Sequence, residues 1–416
     1  MKRRYGITVR TLLCATICLF ITGCGSHEKQ AQDIVMWLVG SEAQAQTINK
    51  LGEEFCQRYG IRVRCEAISW GEAHSKYLTS VAGEVAPDIG TMGLTWGTEF
   101  GSLGAMVDLR KAFPDDITRI QKDTFPGIWA ATQREGHVYG IPFDMSLQLM
   151  YYRTDVLKKA PRTWDELIEM LDQLSKKGKG MIFDWGSLSW IGLAPYLWQA
   201  GGDFYTPDTS HATLDSKEAV EGLRFFSELY TRHGVPRSKI PVEQGMRTGD
   251  FPLAISGNWK IEELTFAAPE ITGKWGIALL PAGPSGRQTA FIGGRIMGIF
   301  EQSKNKEAAW KFITFLFDPA TQVRLYQAAQ TTQDTYLPPN IATWDMLPIE
   351  KHIKETIRLQ AMDAKGPPAV LGWDTSTRFI DQAIQRTVLE GADPAEECEK
   401  ANAELERRIG KRFILD

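Results

Sequence analysis

Residues 33 to 92 switch between two hydrophobic periods, and this limits the possible folds more than any other feature of the chain. Asp33 to Leu38 reads as a strand. The next stretch carries Ile48, Leu51, Phe55 and Tyr59 at helical spacing and stops at Gly60, a residue free to adopt the left-handed turn that ends helices. Ile61 to Ile68 reads as a second strand, and Pro87 to Met92 as a third after another helix. Strands joined through helices cannot pair as hairpins. They are expected to lie parallel, with right-handed crossovers. The predicted class is α/β.

Further elements follow the same logic. Thr163 and Glu166 form a capping box ahead of Leu167, Met170, Leu171 and Leu174. Asp215 and Glu218 open a helix bearing Leu223, Phe226 and Leu229, which Gly234 ends. Asp318 precedes Pro319, an N-cap before a proline in the first turn. Helices are also expected over Phe379–Val388 and Pro394–Ile409, and short strands over Phe251–Ser256, Trp275–Leu280 and Phe291–Phe300. With 416 residues, 43% hydrophobic and 24% charged, the chain has enough material for at least two lobes. That composition excludes wholly disordered and multi-span membrane classes.

The amino terminus reads as an export signal. Lys2, Arg3, Arg4 and Arg10 precede an apolar run, Thr11 to Ile21, too short to span a bilayer as a helix. Ile21-Thr22-Gly23-Cys24 resembles the bacterial lipobox, with residues 1–23 removed, Cys24 lipidated and 24–32 left as a tether. Cleavage makes the mature chain more acidic than the formal −4 of the whole sequence. An acidic chain lacks the electrostatic footprint of nucleic-acid binding. Cys56, Cys65 and Cys398 then remain, without metal-like spacing. Measured from Gly60, Cys56 is about 6 Å back along a helix and Cys65 roughly 16 Å along a strand. That mismatch of about 10 Å exceeds the reach of roughly 7 Å between bridged Cα atoms, so two buried thiols are expected rather than a disulfide.

Catalytic signatures are missing: no H-E-x-x-H, G-x-S-x-G, Walker loop or G-x-G-x-x-G. The six His are scattered. Asp184-Trp185 and Trp373-Asp374 would be the first carboxylates to test for glycoside chemistry, but nothing pairs them in sequence. Tryptophan stands out instead, with 13 Trp against 11 Tyr. Trp37, Trp96, Trp185, Trp190, Trp259 and Trp373 fall at strand or loop edges beside small or polar residues. Sugar rings present C–H faces that stack on such planes, and hydroxyls that need a few directed polar groups. Trp164, Trp275 and Trp310, inside regular elements, are expected to serve as core.

Several segments, in order, resemble the family 1 extracellular solute-binding proteins, the carbohydrate receptors of bacterial ABC importers. GHVYGIPFDMSLQLMYYRTDVLKKAPRTWDEL, Gly136 to Leu167, is similar to the family's G-x-x-Y-G-I-P … L-Y-Y-R … T-W-D-E-L region. GGDFYTPDTSHATLDSKEAVEGLRFFSELY (Gly201 to Tyr230), KWGIALLPAGPSG, IGGRIMGI and SKNKEAAWKFITFLFDPATQ follow in the family's order. The resemblance implies a two-lobed clamp of the maltose-binding type. Residues 33–142 and 295–337 would form the first lobe, and 143–294 and 338–416 the second. It also implies a monomeric receptor with no chemistry, cofactor or metal, which closes on a sugar and presents it to membrane permease subunits. A receptor of the same fold for a polyamine or phosphodiester is the alternative.

Matched residue by residue, the resemblance marks Glu42, Thr95, Trp96, Asp144, Gln148, Asn258, Trp259 and Trp373 as ligand contacts, and Trp185 joins them from the loop-edge group. Two positions depart from the pattern. Ser146 replaces an Asp found in many relatives, and Arg295 replaces a Trp after Gly293-Gly294. The guanidinium of Arg295 would suit paired oxygens of a ligand, or else an ion pair with Glu42 or Asp144.

Overall fold

The computed structural model describes residues 32–332 and 334–409. The expected signal segment, the lipidation site Cys24 and all but the last residue of the tether lie outside the described residues.

The first strands are β1 (Gln32–Val39), β2 (Ile61–Ile68) and β3 (Ile89–Gly93), followed by the short pair β4 (Gln133–Arg134) and β5 (His137–Val138). After them come β6 (Ile141–Arg153), β7 (Met181–Phe183), β8 (Leu253–Gly257), β9 (Trp275–Ala278), β10 (Ala290–Ile299) and β11 (Ala364–Lys365). One sheet runs β2-β1-β3-β10-β6-β8-β7, with β9 also on β6 and β11 on β10.

The expected parallel arrangement holds for β1 with β2 and β3, where helices Glu42–Tyr59 and Trp70–Ala82 make the crossovers. It does not hold for the whole sheet. β10 runs antiparallel to both β3 and β6, and β6 runs antiparallel to β8 and β9. β6 and β10 are therefore long buried connectors. Residues 141–147 of β6 pair with β10, and 148–152 pair with β8. Each connector belongs to both halves of the sheet, which is the two-lobed architecture.

The ladder between β6 and β10 is irregular at one point. Arg295 faces Asp144 but Ile296 faces Pro142, so Phe143 is an extra residue. Such a bulge bends the strand, and Pro142, which has no N–H to offer, is tolerated at an interruption of this kind. Gly294 beside it has φ +143, and a Cβ there would come within 2.3 Å of the Asp144 carbonyl oxygen. Leu337 bridges Met145 from the other side, its carbonyl accepting the Met145 N–H at 3.0 Å. The three positions where the sequence places lobe crossings, near 142, 294 and 337, thus lie side by side.

Helix ends follow the sequence signals. Gly60 caps Glu42–Tyr59 in the left-handed conformation, and Thr163 accepts the Glu166 N–H at 3.2 Å. Asp318 accepts the Ala320 N–H at 3.0 Å ahead of Pro319–Thr332. Ser216 rather than Asp215 caps Lys217–Thr231, because its side chain reaches Ala219 N–H. The helix expected from Phe379 starts earlier, at Trp373, and ends in a wide turn over Arg386–Glu390. Cys56 and Cys65 are free thiols, but only Cys65 is buried; Cys56 sits half-covered on its helix. Trp164 and Trp310 are core, whereas Trp275 is only half-buried on β9.

Candidate functional site

The site lies where strands end. β1 stops at Val39, Gly40 turns the chain, and Ser41 caps the first helix by accepting the Gln44 N–H at 3.1 Å. β3 stops at Gly93 and runs directly into helix Leu94–Ser102, which places Thr95 and Trp96 in its first turn. Ligands of open α/β sheets bind outside such carboxyl ends. Here they look onto a cleft of about 900 Å³ whose opposite wall is supplied by Trp185, Trp190, Trp259, Phe291 and Trp373. That volume is within the range of pockets that enclose small organic ligands.

The aromatic wall is fixed by contacts behind it. Trp185 and Trp259 meet edge to face at 4.8 Å, as do Trp190 and Trp373 at 4.9 Å. Phe291 touches both Trp185 and Trp190, each at 5.2 Å. Edge-to-face packing at these separations is the favoured geometry of aromatic pairs. Each ring of the first pair is also anchored through its chain neighbour. Asp184, next to Trp185, lies 3.5 Å from the ammonium of Lys260, next to Trp259. Lys260 is buried and also paired with Glu243 and Glu263.

At the base of the cleft Arg295 is fully engaged. Its Nε donates to Asp144 Oδ2 at 3.0 Å, and Nη1 donates to Gln44 Oε1 at 3.0 Å and to the Val39 carbonyl. Its backbone N–H takes the other Asp144 oxygen at 2.9 Å. The guanidinium also lies 4.9 Å from the ring centre of Phe143, the bulged residue. Of the two roles open to Arg295 from sequence, the structure shows the ion pair, with Asp144 and not with Glu42. Gly40 makes room for this: a Cβ there would come within 2.7 Å of Arg295 Nη1.

Thr95, Trp96, Asp144, Trp185, Trp259, Arg295 and Trp373 therefore come together around one cleft, with Ser146 among them. Glu42, Gln148 and Asn258 do not reach its lining. Glu42 is exposed on the first turn of its helix. The Gln148 amide is buried and donates to the carbonyls of Trp185 at 3.0 Å and Ile191 at 3.4 Å. Asn258 is buried too, and its Oδ1 accepts the Leu147 N–H at 2.8 Å. Both amides hold the loops that carry the tryptophans. Trp37, from the same loop-edge group, lies outside the cleft with Lys76 over its ring at 4.4 Å.

Sequence reasoning missed Trp70, Asp334 and the role of Asp374. Trp70 opens a helix and is 52% exposed, with its ring 5.9 Å from Trp96. A large apolar residue in the first turn of an amphipathic helix, off its buried stripe, was the signal available. Asp334 accepts the Ser41 hydroxyl at 2.9 Å. Asp374 accepts the Thr95 hydroxyl at 3.2 Å, joining the first turns of two helices across the cleft mouth. Crowding by the protein raises the Asp374 carboxyl above its ordinary pKa, and the charge of Glu99 adds to this, although the Thr95 hydroxyl partly offsets it.

A sheet whose two halves share β6 and β10, with an aromatic cleft over the junction, defines a clamp-type binding protein. Residues 50–342 match the model of the bacterial extracellular solute-binding proteins, and the chain belongs to that family. It is 24% identical over 368 residues to a binding protein of Brucella abortus, covering 85% of this chain and 87% of that one. It is also 23% identical over 317 residues to the arabinooligosaccharide-binding protein of Halalkalibacterium halodurans, covering 72% of this chain and 67% of that one. The structure of the sugar-binding protein MalE from Xanthomonas citri superposes with a TM-score of 0.81 at 23% identity, over 90% of this chain and 97% of that one.

Proposed function

We propose that this chain is the carbohydrate-capturing receptor of an ABC importer, exported and held at the membrane by lipid on Cys24. The observation that carries the reading is the cleft: seven indole or phenyl walls and a few hydroxyl and carboxylate groups, set over the junction of the two halves. C–H faces of a sugar would stack on Trp96, Trp185 and Trp259, with the buried Trp373 bracing the wall behind them, while Thr95, Ser146 and Asp334 would take its hydroxyls. Relatives described as binding arabinooligosaccharides and maltotriose support a saccharide ligand.

The lobes would be 33–142 with 295–337, and 143–294 with 338–416. The bulge at Phe143 and the glycines before Arg295 would absorb their rotation, since hinges are a few residues at element ends. The receptor performs no chemistry and acts as a monomer, and its closed form is what the permease subunits recognise. Among the described residues no helix is long and apolar enough to cross a membrane. Titrating the mature protein with maltotriose and arabinotriose, with X-ray scattering in parallel, tests this. Binding accompanied by a smaller radius of gyration is expected. If neither sugar releases heat or raises the melting temperature, the carbohydrate reading is wrong.

A further inference from the structure

The cleft lining is unbalanced in charge. Asp144, Asp334 and Asp374 face it, and Arg295 is its one basic residue among the described residues. Arg295 is not available to a ligand anion, because Asp144 takes its Nε and Val39 and Gln44 take its Nη1. The other two carboxylates have no basic partner within salt-bridge distance among the described residues. Asp334 accepts the hydroxyls of Ser41 at 2.9 Å and Thr332 at 3.1 Å. Asp374 accepts the Thr95 hydroxyl at 3.2 and 3.3 Å through its two oxygens.

The surroundings of Asp374 add a second observation. Trp70 and Trp96 meet at 68° with ring centres 5.9 Å apart, forming an aromatic corner in the same lining. The nearest basic side chain, His74, packs edge-on against Trp96 at 5.0 Å but bonds Glu99 at 3.0 Å. Glu99 raises the pKa of both His74 and Asp374. Although the charge of His74 and a bond from the Trp96 side chain pull Asp374 the other way, its carboxyl remains raised and forms no ion pair among the described residues. Ring faces attract cations, and a carboxylate beside them supplies the charged acceptor. An anion in the same place would meet two carboxylates and no free cation.

Building on the carbohydrate reading above, we propose that the cleft takes a saccharide bearing a protonated amine. The ammonium would sit between the Asp374 carboxylate and the Trp70–Trp96 corner, and uronates would be turned away. Trp70, Trp96 and Asp374 are then specificity-determining residues.

Calorimetry on the mature protein with three matched trimers tests this: a glucosamine trimer, its N-acetylated neutral form and trigalacturonate, with maltotriose as a second neutral probe. The amine trimer should bind at least about tenfold more tightly than the acetylated form, and trigalacturonate should not bind measurably. Asp374→Asn should abolish the preference for the amine while leaving the melting temperature at or above wild type. Equal or tighter binding of the acetylated or acidic trimer would overturn the proposal, as would a preference that survives Asp374→Asn. Binding of maltotriose without the amine trimer would sink the amine site but leave the sugar receptor standing. If no saccharide binds, both readings fail.

Discussion

The Asp144 carboxylate holds Arg295 from two directions, taking its backbone N–H on one oxygen at 2.9 Å and its Nε on the other at 3.0 Å. Both side chains are buried, with Arg295 5% and Asp144 6% exposed. The bond lies across the bulge between β6 and β10, so it fixes the geometry of the connector pair as well as the local charge. Removing one member of such a pair leaves the other buried and uncompensated.

Arg295→Ala is accordingly expected to cost about 3–5 kcal/mol of stability, read from urea unfolding. Replacing both Asp144 and Arg295 with apolar residues should recover part of that loss, since no lone charge is left behind. If Arg295→Ala kept full stability but lost sugar affinity, the arginine would be a ligand contact rather than a structural one.

Two tryptophans of the same cleft should respond in opposite ways. Trp373 is 1% exposed and packs on Trp190, Phe204 and Tyr205, so Trp373→Ala should cost about 3–5 kcal/mol of stability. Trp70 is 52% exposed, and Trp70→Ala should change stability by no more than about 0.5 kcal/mol. Its effect belongs to binding, where a loss of at least about 1 kcal/mol is expected for a residue that stacks on ligand. Melting curves and titrations of both variants separate the two roles.

The contrast between local and distant signals explains what the sequence could reveal. Gly60, Thr163 and Asp318 specify helix ends within a few residues, and each performs that role in the structure. Ile61–Ile68 is a strand over the predicted residues because Ile61, Val63, Cys65 and Ala67 alternate with the charged Arg62, Arg64 and Glu66. The strand Ile141–Arg153 gave no such signal. It is buried on both faces, so it shows no alternation, and it contains Pro142 and Asp144. Its partner β10 lies about 150 residues away in the chain, and no local pattern encodes an antiparallel pairing at that distance. The site was legible to the same extent. Tryptophans after small residues marked the aromatic wall, but side chains of the right type at motif positions, Gln148 and Asn258, are spent on backbone. Residue type tells which bonds a group can make, while the fold decides which it makes.

Cys24 offers a test independent of the cleft. In the proposed reading, the anchor at Cys24 of Ile21-Thr22-Gly23-Cys24 would precede the binding lobes in the chain. Cys24→Ala should move the protein from the membrane to the soluble fraction without altering sugar affinity. A variant that still sediments with membranes would contradict lipid attachment at this cysteine.

Glu262 predicts how stability depends on pH. One of its oxygens accepts the Gln330 amide at 2.9 Å, between helices Lys260–Ala267 and Pro319–Thr332, and the other is buried without a partner among the described residues. Burial raises its pKa, and the neighbouring charge of Glu263 pushes in the same direction. An acid with a raised folded pKa releases its proton more readily when unfolded, so ionisation favours the unfolded chain. The penalty is therefore absent below the unfolded value of about 4.3, grows as pH rises towards the raised folded value, and stays constant above it. Glu262→Gln keeps an acceptor for Gln330 and removes the titration. The melting temperature of the variant relative to wild type should accordingly rise between pH 4 and pH 7. A difference that stays flat across that range would show that Glu262 ionises as easily in the folded protein as in the unfolded chain.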